Sequence, residues 1–146
     1  MKQLQRRILT TARILFGLLF LDAGIEKLFS GFSAKKYLEA TTYGPFADIF
    51  QSMAGSPVVD FLVVGGEIAI GIALVSGVFL WFTAYAGSLM MIMYYFSQFP
   101  PKTGIINMHI VYILLFFILA ACEAGKYAGL QPFADRIMKQ ILRKSS

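Results

Sequence analysis

The sequence holds a single cysteine, Cys122, and a single histidine, His109. A disulfide, a dithiol relay or a thiolate metal cluster needs at least two sulfurs, so intramolecular thiol exchange is excluded. The same count excludes a bis-histidine haem and a multi-histidine zinc or di-iron centre within one protomer. Any redox cofactor is therefore expected to be organic, borrowed or shared between subunits. Charge is also scarce, at 14% of the 146 residues, against about 25% in an ordinary soluble domain. With 58% hydrophobic residues and a mean hydropathy of +0.68, a typical soluble globular protein is excluded.

Long apolar runs take the place of charge. The length fits one domain and leaves room for four membrane spans, each needing about 20 apolar residues. The pattern predicts an all-α fold, an integral membrane four-helix bundle forming one domain over 1–146, with spans near 8–29, 57–79, 81–99 and 105–122. The first run follows Lys2, Arg6 and Arg7, as a signal peptide would, but it carries Arg13, continues through Asp22, Glu26 and Lys27, and offers no small-residue cleavage site. It reads as a retained helix.

Ser56 and Pro57 mark the start of the second span. Gly77 marks a tight hairpin, and Pro100, Pro101 and Gly104 break the chain before the fourth span. The 30–56 connection, with Tyr37, Leu38, Phe46 and Ile49 among polar residues, is too short and polar to span and reads as an interfacial helix or re-entrant cap. After Gly129 and Pro132, the tail places Leu130, Phe133, Ile137 and Ile141 at helical spacing among Arg136, Lys139, Arg143 and Lys144. That pattern predicts an amphipathic helix on the membrane surface.

The net charge of +5 is concentrated at the chain ends. Outside the spans, three Lys or Arg residues precede the first and five follow from Lys126 onward, against Lys35, Lys36 and Lys102 in the opposite loops. This asymmetry predicts a multi-pass plasma-membrane protein with both termini cytoplasmic. The expected surroundings are the lipid bilayer, and a membrane-flanking pattern without a soluble binding domain argues against a nucleic-acid partner.

Ionisable groups inside spans are costly and ordinarily face a bundle interior or a wet cavity. With alternating helix directions, Asp22, Glu26 and Lys27, then Asp60 and Glu67, then Tyr94 and Ser97, then Asn107, His109 and Tyr112 all fall towards one half of the bilayer. Arg13 lies towards the other half, where a long side chain is expected to snorkel to the headgroups. Asp22 and Glu26 are i and i+4, and Asp60 and Glu67 are i and i+7, so each pair is expected to share a helix face. Gly65, Ala69, Ala73 and Gly77 form a small-residue stripe suited to close helix approach.

Structural alternatives stand beside a functional cluster. Glu26 and Lys27 can pair at a helix end, Glu67 can be a buried partner of Arg13 or Lys27, and His109 can be an interfacial hydrogen-bonding residue. The group Met90, Met91 and Met93 reads as packing, and Cys122 as a small hydrophobe.

Several segments resemble the DoxX family of small four-helix membrane proteins. Arg13-x-Leu-x-Gly17-x-x-Phe20-x-x-Ala23-Gly24-x-x-Lys27-Leu28 is similar to the family's opening helix, and Gly66-Glu67-x-x-Ile70-Gly71-x-Ala73-Leu74-x-x-Gly77 to its second. Asn107-x-His109 with Tyr112, and Ala124-Gly125-x-Tyr127-x-Gly129-Leu130, resemble the fourth helix and its exit. Where such proteins often carry a basic residue after the second span, this chain has Leu80 and Trp81.

The family includes the DoxD subunit of thiosulfate:quinone oxidoreductase. The resemblance implies a membrane redox subunit passing electrons from a sulfur compound to a quinone, with a second small redox subunit or a homo-oligomer as partner. A quinone site needs donors for two carbonyls and a proton supply within an apolar pocket. On that reading His109 and Tyr112 donate to a carbonyl, Glu67 relays a proton, and Asp22 and Asp60 connect to water. Lys27 attracts an anionic donor, with Glu26, Tyr94 and Asn107 completing the binding surface. No haem or metal is expected within one protomer. The alternative from another class is a non-catalytic membrane scaffold, or a carrier for a lipid-like or small solute.

Overall fold

The computed structural model describes residues 2–144, whose regular elements are all helices, with no strand among them. Seven α-helices follow in order: α1 (Gln3–Ser30), α2 (Ala34–Thr41), α3 (Ala47–Ser52), α4 (Pro57–Ser76), α5 (Leu80–Ser97), α6 (Met108–Ala121) and α7 (Gln131–Lys144). A 3-10 turn, Ala124–Lys126, lies between α6 and α7. Two of the helices, α1 and α4, are long and apolar enough to cross a membrane. Helix α6 is shorter than the expected span, because the turns around Pro101 and Gly104 run on to Asn107, which caps it.

Helices α1 and α4 run antiparallel in close contact, and glycine sets how near they come. A Cβ on Gly71 would lie 2.6 Å from Leu21 Cγ and 2.9 Å from the Gly17 carbonyl oxygen. A Cβ on Gly24 would lie 2.7 Å from Ile68 Cγ1. This seam is not the stripe expected from spacing: Gly65 has nothing nearer than Phe61 of its own helix, at 3.8 Å. Spacing of four marks a smooth helix face, but the partner backbone selects which face is used.

Helix α5 packs on α6 and, less extensively, on α4. The core joins Phe16 and Phe20 of α1, Ile70 and Leu74 of α4, Ala84 and Met91 of α5, and Phe116 and Leu119 of α6. Phe16, Phe20, Tyr112 and Phe116 form an aromatic cluster with ring centroids 4.7 to 6.2 Å apart. Such pairs add directional preference to plain burial. Outside this core the helix surfaces remain apolar, with Phe61, Leu62, Phe82, Tyr85 and Leu89 largely exposed.

The connection between α1 and α4 is two helices rather than one. Leu38 and Phe50 bury against each other's helix with Ala34, forming a small second core. Gly77, at φ 72°, ends α4 in the left-handed conformation that glycine adopts without penalty, consistent with the expected hairpin. Ser56 occupies the N-cap of α4 and Pro57 its first turn, but the Ser56 side chain makes no capping hydrogen bond. The side chains of Arg143 and Lys144, counted among the tail's basic residues, lie outside the described set.

Arg13 departs from the expected snorkelling. It is fully buried, and its Nη2 donates to the Ala128 carbonyl at 3.0 Å. The 127–130 segment folds back over α1, with Thr10 donating to the Tyr127 carbonyl and Leu130 N donating to Ser76 O, and so encloses the guanidinium.

Candidate functional site

The site grows from α4. Glu67 is buried at mid-helix, where its carboxylate faces the last turn of α1 and the C-terminal half of α5. Lys27 Nζ donates to Glu67 Oε2 at 2.7 Å and to Oε1 at 3.0 Å. Tyr94 OH donates to Oε1, also at 3.0 Å. One buried carboxylate thus joins three helices, and the accompanying hydrogen bonds offset the desolvation of the ions. Lys27 also donates to the Ala23 carbonyl and lies over the Phe32 ring.

Tyr94 carries this network to a cavity of about 270 Å³, lined among others by Tyr43, Tyr95, Gln98, Lys102, Asn107 and His109. The Tyr94 and His109 rings meet edge to face at 6.2 Å. Asn107 caps α6, its side-chain oxygen accepting from His109 N, which places the histidine in the first helical turn at the cavity wall. His109 Nδ1 is buried and has no hydrogen-bond partner. A buried polar atom left unpaired is costly, and is ordinarily met by water or a ligand.

The cavity roof comes from the α2–α3 connection. Tyr43 N donates to the Ser97 carbonyl, Lys102 N donates to the Tyr43 hydroxyl, and Gln98 donates to the Tyr37 hydroxyl. Tyr43, Gln98 and Lys102 escape a reading of the spans because they lie in loops and at a helix end. Their convergence depends on pairing Tyr43 with Gln98 across 55 residues, which no local periodicity encodes.

The structure brings Lys27, Glu67, Tyr94, Asn107 and His109 together, and sets the other candidates apart. Asp22 and Glu26 are exposed, with no side-chain partner among the described residues, and Lys27 turns to Glu67 instead of Glu26. Their helix face is the one α4 does not cover. Asp60 shares no site with Glu67. Its Oδ1 accepts from Ala34 N at 2.7 Å and so anchors the start of α2. Tyr112 lies in the aromatic core, its ring 5.1 Å from Phe16, away from the cavity lining.

No match is found among curated proteins, and none among solved structures. The DoxX family model matches residues 8–99, a stretch that includes most of α1, the α2–α3 connection, α4 and α5 and carries Lys27, Glu67 and Tyr94. The chain belongs to the DoxX family, a membrane-associated family, and has two helices apolar and long enough to cross a bilayer.

Proposed function

We propose that the chain is a four-span integral membrane redox subunit that binds a quinone at the Tyr94–His109 cavity, linking it to oxidation of a small donor. The observation that carries this reading is a cavity whose wall holds both His109, with one buried ring nitrogen unpartnered, and Tyr94, itself bonded to Glu67. The apolar outer surfaces of α4 and α5 support insertion of the bundle in lipid. The basic residues at both chain ends support cytoplasmic termini, and the site then lies in the outer half of the bilayer.

The residues suit a quinone. Tyr43, Tyr94 and Tyr95 supply aromatic walls, and His109, Asn107 and Gln98 supply polar groups for carbonyl oxygens. When bound, a quinone supplies a two-electron, two-proton couple in an apolar carrier. Tyr94 hands a proton to the cavity and recovers one through Glu67, which Lys27 holds in place. With one cysteine and one histidine, the chain takes its electrons from outside: from a reduced sulfur anion, the donor class the family resemblance implies, or from a second small subunit.

The scaffold or carrier reading also has an observation in its favour. The Glu67 carboxylate is already satisfied by Lys27 and Tyr94, as a purely structural pair would be. The two readings part at His109, which the network does not use. Organic extraction of the detergent-purified protein, followed by mass spectrometry for quinones, separates them. Stoichiometric quinone in the wild type, lost from His109→Ala with helicity retained and reduced in Glu67→Gln, is the expected result. Quinone no higher than the lipid background in all three proteins overturns the redox reading in favour of the scaffold or carrier.

A further inference from the structure

At the opposite end of the bundle lies a second cavity, of about 240 Å³, that the proposed redox site does not use. Its apolar wall is Leu80, Trp81, Phe82 and Ala120, and its polar rim is Glu123, Lys126 and Gln131. Gly125 also lines it, and behind Gly125 stand Gly77 and the Arg13 guanidinium. A Cβ added to Gly77 would overlap Arg13 Nη1 and lie 3.1 Å from Gly125 Cα.

Arg13 is the unexplained group here. It is fully buried, yet among the described residues its Nε and Nη1 have no hydrogen-bond partner and no carboxylate lies in ion-pair range. A buried cation without a counter-charge is a strong demand for one. The surrounding elements add to the positive field: Lys2 at the N-cap of α1, Arg6 and Arg7 on α1, and Lys126, Arg136 and Lys139 beyond α6, against the acids Glu123 and Asp135. Glu123 pairs with Lys126 in an exposed contact, which water weakens. Asp135 accepts from Gln131.

The backbone is strained around the same cavity. Phe79, Glu123 and Ala128, at φ 51°, 50° and 49°, are the non-glycine residues in left-handed conformation among the described residues, and all three lie at this end. Strain of this kind gathers at ligand clamps and costs stability elsewhere in a fold.

We propose that this cavity binds an anionic phospholipid, with its phosphate at the Lys126 and Gln131 rim in front of the buried Arg13 charge, and an acyl chain along Trp81 and Phe82. The apolar wall beside a basic rim fits an amphiphile better than a free anion. It sits where aromatic side chains and basic residues ordinarily meet the cytoplasmic headgroups. The inference rests on membrane insertion and is independent of the quinone.

Trp81 is the single tryptophan in the chain and lines this cavity while remaining half exposed, so its fluorescence reports the lipid at this end of the bundle. The full protein is reconstituted in vesicles containing phosphatidylglycerol or phosphatidylcholine brominated on the acyl chain, and quenching of Trp81 is measured against the mole fraction of brominated lipid. The expected result is half-maximal quenching at a several-fold lower fraction of the anionic lipid. Lys126→Gln, at an exposed position, is expected to reduce that preference by about five-fold, the effect of one basic residue near a membrane surface. Glu123→Gln is expected to increase it, and Arg13→Gln, with helicity checked by circular dichroism, to abolish it. Equal quenching by the two lipids in the wild type overturns the site while leaving membrane insertion intact. Absence of quenching by either overturns insertion and the proposal with it.

Discussion

Lys27 Nζ meets Glu67 Oε2 at 2.7 Å, tying the last turn of α1 to the middle of α4 across 40 residues of sequence. The lysine is partly exposed and the carboxylate is almost wholly buried, so the two partners are not equivalent. Solvent can still reach the ammonium, but the carboxylate depends on Lys27 and Tyr94 for every contact that replaces water.

Removing the lysine should therefore cost more than removing both charges. Lys27→Met leaves a buried carboxylate with one neutral donor and is expected to destabilise the fold by about 3 kcal/mol, whereas Lys27→Met combined with Glu67→Gln recovers most of the loss. Thermal unfolding in detergent micelles, followed by circular dichroism, checks this. A single variant that melts with the wild type would show that the pair contributes nothing to the α1–α4 seam.

The closeness of that seam is testable separately. Gly71→Ala places a methyl 2.8 Å from Leu21 N, and a backbone atom within a helix cannot step aside cheaply. A loss of about 1–3 kcal/mol is expected, the usual cost of overpacking. Gly65→Ala meets only open space and its own Phe61, and should be neutral or slightly stabilising through better helix propensity. The same unfolding assay on both variants decides whether contact or spacing identifies the working glycines.

Much of the helical organisation is legible in the sequence, because Pro57 and Gly77 act through local backbone chemistry and the apolar runs are long, whereas the Asn107 cap, which starts α6 later than the apolar run, is not. Glu67 and His109 stand out for an equally simple reason: a titratable side chain in an apolar run must be met by something. Helical period alone does not say which face meets a neighbour. Asp22 and Glu26 share a face, as i and i+4 residues do, but that face points away from α4. Arg13 has the length to snorkel, but the returning 127–130 segment covers it instead, accepting one hydrogen bond from Nη2 and leaving Nε and Nη1 unpaired. The cavity roof was hidden for the opposite reason, since Tyr43 and Lys102 reach it through long-range loop pairing.

Asp60 has a local structural task that a proton-conducting role would not require. Its carboxylate accepts from Ala34 N at the start of α2, alongside the Ser33 hydroxyl that accepts from Lys35 N. Asp60→Ala should weaken the first turn of α2 by about 1 kcal/mol, the typical value of a lost cap. Hydrogen exchange is expected to speed up over residues 34–41 while the amides of α5 keep their protection. Unchanged exchange in α2 would leave Asp60 without the anchoring role.

The exposed acids provide the sharpest contrast with the buried one. Asp22→Asn and Glu26→Gln remove no hydrogen bond and open no cavity, so stability should stay within about 0.5 kcal/mol of wild type. If the quinone reading holds, both variants should also retain bound quinone, because neither acid touches the Tyr94–His109 cavity or the Glu67 network. Extraction and mass spectrometry of these two proteins alongside His109→Ala compare the exposed acids with the cavity wall directly. Loss of quinone from Asp22→Asn with the fold intact would mean that the ligand lies against the outer face of α1, and would move the site away from the cavity altogether.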